Sequence, residues 1–279
     1  MTTTGRYGLV FAISLVTSGQ LQADDASAAA EAMARALQDP LASIKMLATD
    51  NTIGFNAGDD DGDTNYNFQI QPVYSIPRNA EAKTNLIARA VVPIIGLEPG
   101  VVQPPIVPEP VPDSGNHWGL SDTTLQLFIS PKSEGNWKWG LGPQVSLPTH
   151  TSDRTAGPGW GLGAAGVLVG NFTEQISFAA IALHHVGEDD FETTAVQPML
   201  YYNFKSVPGM ALSYNNMISY NWEADSGNRW NVPLGLTLSR TWALSGGGLD
   251  LGLGYYELIE HPEGAPDAQI KFAISWVFN

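Results

Sequence analysis

Two adjacent histidines, His184 and His185, close an apolar run, and four carboxylates follow them at Glu188, Asp189, Asp190 and Glu192. An imidazole beside a hydroxyl is the raw material of a nucleophile–base pair. On a strand, however, neighbouring side chains point to opposite faces. The two imidazoles therefore cannot easily share a metal, and only one of them can face an interior. A barrel-embedded hydrolase would need a serine on the same face of a neighbouring strand. Ser213 and Ser219 lie on a segment two places away. A membrane-embedded lipid hydrolase stays as a minor alternative, and the residues argue against an enzyme. The acidic quartet reads as a solvated outward loop.

A second cluster is Asp59-Asp60-Asp61-Gly62-Asp63. Hard cations want clustered carboxylates, which makes Asp59, Asp61 and Asp63 a candidate weak calcium site. The distal bidentate glutamate of a helix–loop–helix calcium site is missing, since Ile70 stands where it would fall. A plain solvated turn is the simpler reading. Cysteine is absent, which removes disulfides, thiolate metal sites and thiol nucleophiles. No cofactor is implied.

The remaining polar chemistry is neutral and periodic. Asn65, Asn67, Gln69, Gln71 and Ser75 alternate with Tyr66, Phe68, Ile70, Pro72, Tyr74 and Ile76. Lys138, Gly140, Gly142, Gln144 and Ser146 alternate with Trp137, Trp139, Leu141, Val145 and Leu147. The same period of two runs through Trp230 to Ser239 and through Gln269 to Phe278. One aromatic or aliphatic face and one face of Asn, Gln, Ser, Gly and Thr is the pattern of a strand between lipid and a polar lumen. The solvent face of a soluble β-sandwich should instead be charged. Charged residues make up only 15% of the chain, against roughly 25% in soluble domains.

Such segments number about twelve, an even count as a closed bacterial barrel requires. The expected spans are 51–57, 64–76, 84–96, 119–130, 137–147, 159–170, 176–186, 193–204, 210–222, 229–239, 249–257 and 268–278. With both termini periplasmic, the long connections 97–118, 148–158 and 258–267 face outward. The short ones at 131–136, 171–175 and 205–209 face inward, which is the asymmetry expected of outer-membrane barrels. Tryptophans near segment ends (Trp137, Trp160, Trp222, Trp230 and Trp276) fit the headgroup level, where a ring is half wet. The expected fold is all-β: a closed antiparallel transmembrane β-barrel over 49–279, in the outer membrane of a Gram-negative bacterium.

Two segments precede it. Residues 1–23 read as a secretory signal peptide, with Arg6 before the apolar core Tyr7–Val16. Residues 24–48 carry a helical pattern, with Ala29, Met33, Ala36 and Leu37 on one face, a break at Pro40 and a further turn over Leu41, Ile44 and Met46. This lead-in is expected to plug the lumen or lie at the periplasmic rim.

Lumen-lining candidates follow from the alternation: Asn65, Asn67, Gln69, Gln71, Arg89, Asp122, Gln126, Lys138, Gln144, Gln197, Tyr201, Asn215, Asn231, Asp250 and Lys271, with Asn85 and Asn221. Arg89, Lys138 and Lys271 are expected to pair with Asp122 or Asp250. Twelve strands lie between the packed interior of about eight and the aqueous channel of 16–18. The lumen could therefore conduct, bind one ligand, or be closed by the lead-in. The run Pro99–Pro112 is expected to extend as an outer polyproline-like arm. A net charge of −15 excludes nucleic acid as a partner. Expected partners are outer-membrane lipids and lipopolysaccharide, the outer-membrane assembly machinery that reads the last strand, and a small-molecule solute.

Phe-Gln-Ile-Gln-Pro-Val (68–73), Leu-Ile-Ala-Arg-Ala-Val-Val-Pro-Ile-Ile (86–95), Trp-Lys-Trp-Gly-Leu-Gly-Pro-Gln-Val-Ser-Leu-Pro-Thr (137–149) and Trp-Asn-Val-Pro-Leu-Gly-Leu (230–236) together carry a resemblance. The chain resembles the bacterial transporters assigned to phenol degradation by the meta pathway, members of which often carry the mistaken label neuromedin U. That resemblance implies an outer-membrane barrel and a porin-like channel or transporter for passive uptake of small solutes, aromatic or hydrophobic ones among them. It transfers no catalytic residue. The competing reading is a non-conducting outer-membrane surface or binding protein.

Overall fold

The computed structural model describes residues 25–58, 62–79, 81–104, 115–132 and 135–278. Within them a helix, α1, spans 25–37 and fourteen strands follow. These are β1 Lys45–Ala57, β2 Asp63–Ile76, β3 Thr84–Leu97, β4 His117–Leu120, β5 Thr123–Pro131, β6 Trp137–Leu147, β7 Gly161–Asn171, β8 Ile176–Val186, β9 Glu192–Asn203, β10 Met210–Asn215, β11 Ile218–Asn221, β12 Trp230–Leu244, β13 Gly247–Glu260 and β14 Ala268–Phe278. β4 with β5, and β10 with β11, are halves of single spans, so the wall has twelve staves. Each pairs antiparallel with its neighbour, and β1 pairs with β14 from Lys45↔Phe278 to Phe55↔Ala268. That last ladder closes the barrel, which leaves no unpaired edge facing lipid.

The outer face is apolar. Leu234, Leu236 and Leu238 on β12, and Leu251, Leu253 and Tyr255 on β13, are exposed in the folded chain. All eight tryptophans are exposed too. Trp118, Trp160, Trp222 and Trp230 gather at the end with long loops, and Trp137, Trp242 and Trp276 at the end with short turns. An apolar band between two aromatic girdles is stable in a bilayer and not in water.

The interruptions have local causes. Leu120 pairs with Ile94 but Thr124 with Val91, so one extra residue is inserted between β4 and β5. This bulge turns both Ser121 and Asp122 toward the lumen. At the break between β10 and β11, Pro233 on the facing strand has no N–H to give.

The main difference from expectation is at the start. β1 begins at Lys45, not at 51, and takes Lys45–Ala48 out of the expected helical segment. Leu41, Ile44 and Met46 form no second helical turn. Local helix propensity is worth a few tenths of a kcal/mol per residue. An unpaired β14 edge in lipid costs several kcal/mol per backbone group, so pairing wins. The turn between β12 and β13 is also tighter than expected, at two residues, with Gly247 at φ +143.

α1 presents Ala30, Met33, Ala34 and Leu37 inward, at helical spacing. Met33 packs at Gly248 and Ala30 at Gly209, both at the short-turn end. Beyond α1 the chain enters the lumen. Leu41 is 2% exposed among Ile87, Phe128, Val167, Ile181 and Tyr201, all inward-facing barrel residues. The lead-in thus sets its helix at the short-turn end and its Leu41 inside the wall. The signal segment, Asp59, Asp61 and Pro105–Pro112 lie outside the described residues, so the calcium-site and polyproline readings concern atoms not described; Asp63 opens β2.

Candidate functional site

The lumen holds two cavities stacked along its axis. The outer one has a volume of about 240 Å³ and the inner one about 140 Å³. Alternation fixes their walls: every second residue of each strand points in. Asn67, Gln69, Gln71, Arg89, Asp122, Gln126, Gln144, Gln197, Asn231 and Lys271 line the outer cavity. Tyr201 and Asn215 line the inner one. Its remaining wall is largely apolar, with Val73, Ile87, Phe128, Ile181 and Met199, and the lead-in residues Leu37, Pro40, Ala42 and Ile44 complete it.

Five side chains belong to both cavities: Asp50, Gln71, Arg89, Gln197 and Lys271. They form the partition between them. Lys271 Nζ lies 2.8 Å from Asp50 Oδ2 and donates to the Asn215 carbonyl at 2.9 Å. Gln197 donates to Asn215 Oδ1 at 2.9 Å. Arg89 donates to Gln71 Oε1 at 2.8 Å and to Gln126 Oε1 at 3.1 Å. Lys271 and Asp50 therefore neutralise each other, while the Arg89 guanidinium is held by neutral amide oxygens.

From Arg89 a one-directional relay runs across four staves. Gln126 Nε2 donates to Gln144 Oε1 at 2.6 Å. Gln144 Nε2 then meets His185 Nδ1 at 3.0 Å, and His185 Nε2 meets Ser146 Oγ at 2.9 Å. Ser146 in turn donates to the Gly159 carbonyl at 2.9 Å. With Gln144 giving an amide proton, Nδ1 accepts, and Nε2 carries the imidazole proton. His185 thus donates to Ser146. A nucleophile–base pair needs the opposite direction, serine giving its proton to imidazole. Ser146 is also fully buried. This serine–histidine contact positions His185; it does not activate a nucleophile.

The sequence reading missed that contact. Gly161 and Gly163 on the intervening strand β7 make it possible, since a Cβ at Gly161 would stand 2.5 Å from both His185 Nε2 and Ser146 Oγ. His184 faces outward, bonded to Thr194 Oγ1 at 2.9 Å. Ser213 and Ser219 are not brought to either histidine: Ser213 donates to the Thr237 carbonyl, and Ser219 lines the outer cavity.

The expected ion pairs also differ. Lys271 pairs with Asp50, a residue expected to precede the first strand, and not with Asp122 or Asp250. Lys138 sits at the short-turn rim and binds Asp39 of the lead-in at 2.7 Å. Asp250 accepts from Thr241 at 2.6 Å. Asp122 holds the outer loop between β6 and β7, accepting from the backbone N–H of Thr149, His150, Gly157 and Gly159 and meeting His150 Nδ1 at 2.7 Å. Asn65 is buried under the loop after β3, bonded to Gln103 at 2.9 Å. Asn221 accepts from Glu223 N and Ala224 N in an outer turn, and Asn85 faces Ser130 beside a short turn.

Among the described residues no group of three or more His, Asp or Glu is arranged to hold a metal ion. No helix among them is long and apolar enough to cross a membrane; the strands do that.

The family model described as "Putative MetA-pathway of phenol degradation" matches residues 44–182, from the residue before β1 into β8. Comparison with curated proteins gave no match. Among solved structures, the barrel is similar to the COG4313 outer membrane channel from Pseudomonas putida F1, at 12% identity and a TM-score of 0.60, covering 85% of this chain and 97% of that one. It also aligns with the Pseudomonas putida toluene transporter TodX, at 10% identity and a TM-score of 0.42, over 88% and 93% of the two chains. The KdgM porin aligns at 9% identity and a TM-score of 0.42, over 84% and 99%. The first of these likenesses is one of fold, a barrel of the bacterial outer membrane. Residues 44–182 thus match the family described by that MetA-pathway model, and the fold is a closed twelve-stave outer-membrane barrel with its own N-terminal segment in the lumen.

Proposed function

We propose that this barrel is a gated outer-membrane channel for passive uptake of small solutes, aromatic or hydrophobic ones among them. One observation carries the reading. The two cavities lie end to end and are divided only by the side chains of Asp50, Gln71, Arg89, Gln197 and Lys271, with residues 37–44 closing the inner one. Side chains can swing and a tethered segment can undock, whereas a lumen packed with core residues could not open. The inner cavity's apolar wall supports passage of a solute with an apolar face. In this reading the outer band meets outer-membrane lipid and lipopolysaccharide, and β14 is the strand that assembly machinery engages.

Planar-bilayer recording of the full chain, against a chain lacking residues 25–41, tests this. The full chain should conduct rarely, and the shortened chain steadily. Silence from both would favour a non-conducting surface protein and end the channel reading.

A further inference from the structure

The polar atoms of the lumen divide into two kinds. Its charged groups are all committed to partners: Lys271 to Asp50, Arg89 to Gln71 and Gln126, and Asp122 to His150 and four backbone N–H groups. By contrast, Asn67 Oδ1, Ser121 Oγ, Thr193 Oγ1, Asn216 Nδ2 and Asn231 Oδ1 are buried and make no hydrogen bond within the protein. All five residues line the outer cavity. Ser121 and Thr193 are 1% and 2% exposed.

Buried polar groups are nearly always hydrogen-bonded, and each exception asks for an explanation. Here the exceptions share one chamber. Both acceptors and donors are free, while Lys271, Arg89 and Asp122 already have hydrogen-bond partners. Apolar side chains lie among them: Pro93, Ile95, Leu183, Phe191 and Met217. At about 240 Å³ the chamber falls below the size of pockets that take drug-sized ligands. It suits a single ring.

We propose that the outer cavity is a binding site for a neutral, one-ring solute carrying several hydroxyl groups. The ring's C–H face rests on the Phe191 and Met217 side. Its hydroxyls bond to Thr193, Asn216 and Asn231 from the contiguous staves β9, β10–β11 and β12, and to Asn67 and Ser121, once these side chains, whose unbonded atoms are closed to water, turn toward it. A charged solute would have to displace the hydrogen bonds that already hold Arg89, Lys271 and Asp122. The inference deepens the channel reading by naming a solute class.

The test is titration calorimetry of the full chain in detergent, corrected against detergent alone. The probes are cyclohexanol, cyclohexane-1,3-diol, cyclohexane-1,3,5-triol and cyclohexanecarboxylate. Affinity should rise about three- to tenfold per hydroxyl, the weight of one net hydrogen bond, and the carboxylate should bind more weakly than the triol. Thr193→Val and Asn231→Leu should each lower triol affinity by about the same factor. Neither should lower the unfolding temperature, because the atoms removed hold nothing within the protein. Affinity flat in hydroxyl number, tighter binding of the carboxylate, or triol binding indifferent to both substitutions overturns the proposal. Conductance measured on the same preparation separates the two readings. Conductance without graded binding removes the site and leaves the channel. Graded binding without conductance, even after removal of residues 25–41, removes the channel and leaves the site.

Discussion

Leu41 is the point at which the lead-in can be loosened without touching the wall. It lies in no strand, is 2% exposed, and packs among Ile87, Phe128, Val167, Ile181 and Tyr201. Truncating a leucine buried to this degree costs about 2–5 kcal/mol. The barrel ladders do not involve it, so Leu41→Ala places that cost on docking of the lead-in. At 1.4 kcal/mol per tenfold, the undocked population should rise between roughly 30-fold and several thousandfold. Gln38→Ala should act alongside it. That side chain donates to Asn203 Oδ1 at 2.8 Å and accepts from Ser177 Oγ at 2.5 Å, and losing it costs about 1–3 kcal/mol. Single-channel open probability in a planar bilayer is the assay, with heat-modifiable electrophoretic migration as the check on folding. Glu31→Gln on the exposed face of α1 is the control, since its pair with Arg35 at 3.5 Å is a surface contact worth little. If Leu41→Ala barrels fold and open no more often than the Glu31→Gln control, the lead-in is not what limits passage.

Further outcomes follow from single contacts. Asp50→Asn leaves the 3%-exposed Lys271 as an uncompensated buried charge, which should cost about 3–5 kcal/mol in urea unfolding and shift ion selectivity toward anions in reversal-potential measurements; pairing it with Lys271→Met should recover most of the stability. Gly142→Ala should block or cripple barrel assembly, since a Cβ there would stand 1.7 Å from the Leu127 carbonyl, whereas Gly246→Ala, with nothing within 4 Å, should change stability by no more than about 0.5 kcal/mol; yields of folded protein in the outer membrane decide this. Asp122→Ala strips the acceptor from four backbone donors of the outer loop, so external trypsin should cut after Arg154 faster than in the parent chain. Ser146→Ala and His185→Ala should leave membrane-lipid turnover unchanged, and altered turnover in either would contradict the direction assigned to their hydrogen bond.

The faces of the barrel were legible because a strand's side-chain period is two. On β2, Asn65, Asn67, Gln69 and Gln71 could only share one side, and shifting the register by one residue would have put them all into lipid. The same logic named Arg89, Gln126, Gln144 and Lys271 as inward, and loop lengths told the two ends apart. β1 was not legible over Lys45–Asp50. Its run of Met, Leu, Ala and Thr carries no clear polar face, and what makes it a strand is β14, more than 200 positions away.

The sequence by itself determined a membrane barrel, its inward-facing polar residues and an apolar helix ahead of them, because these depend on periodicity and composition along the chain. Only the tertiary structure decided which inward residues meet. Lys271 finds Asp50 and not Asp122 or Asp250, and His185 reaches Ser146 over two glycines of an intervening strand. Such encounters depend on barrel curvature and on how little side chain stands between, quantities that no local spacing encodes. The place of Leu41 is the same kind of fact. Leu41 reads as part of a helix in sequence, and lies inside the wall only because β1 closes against β14 around it.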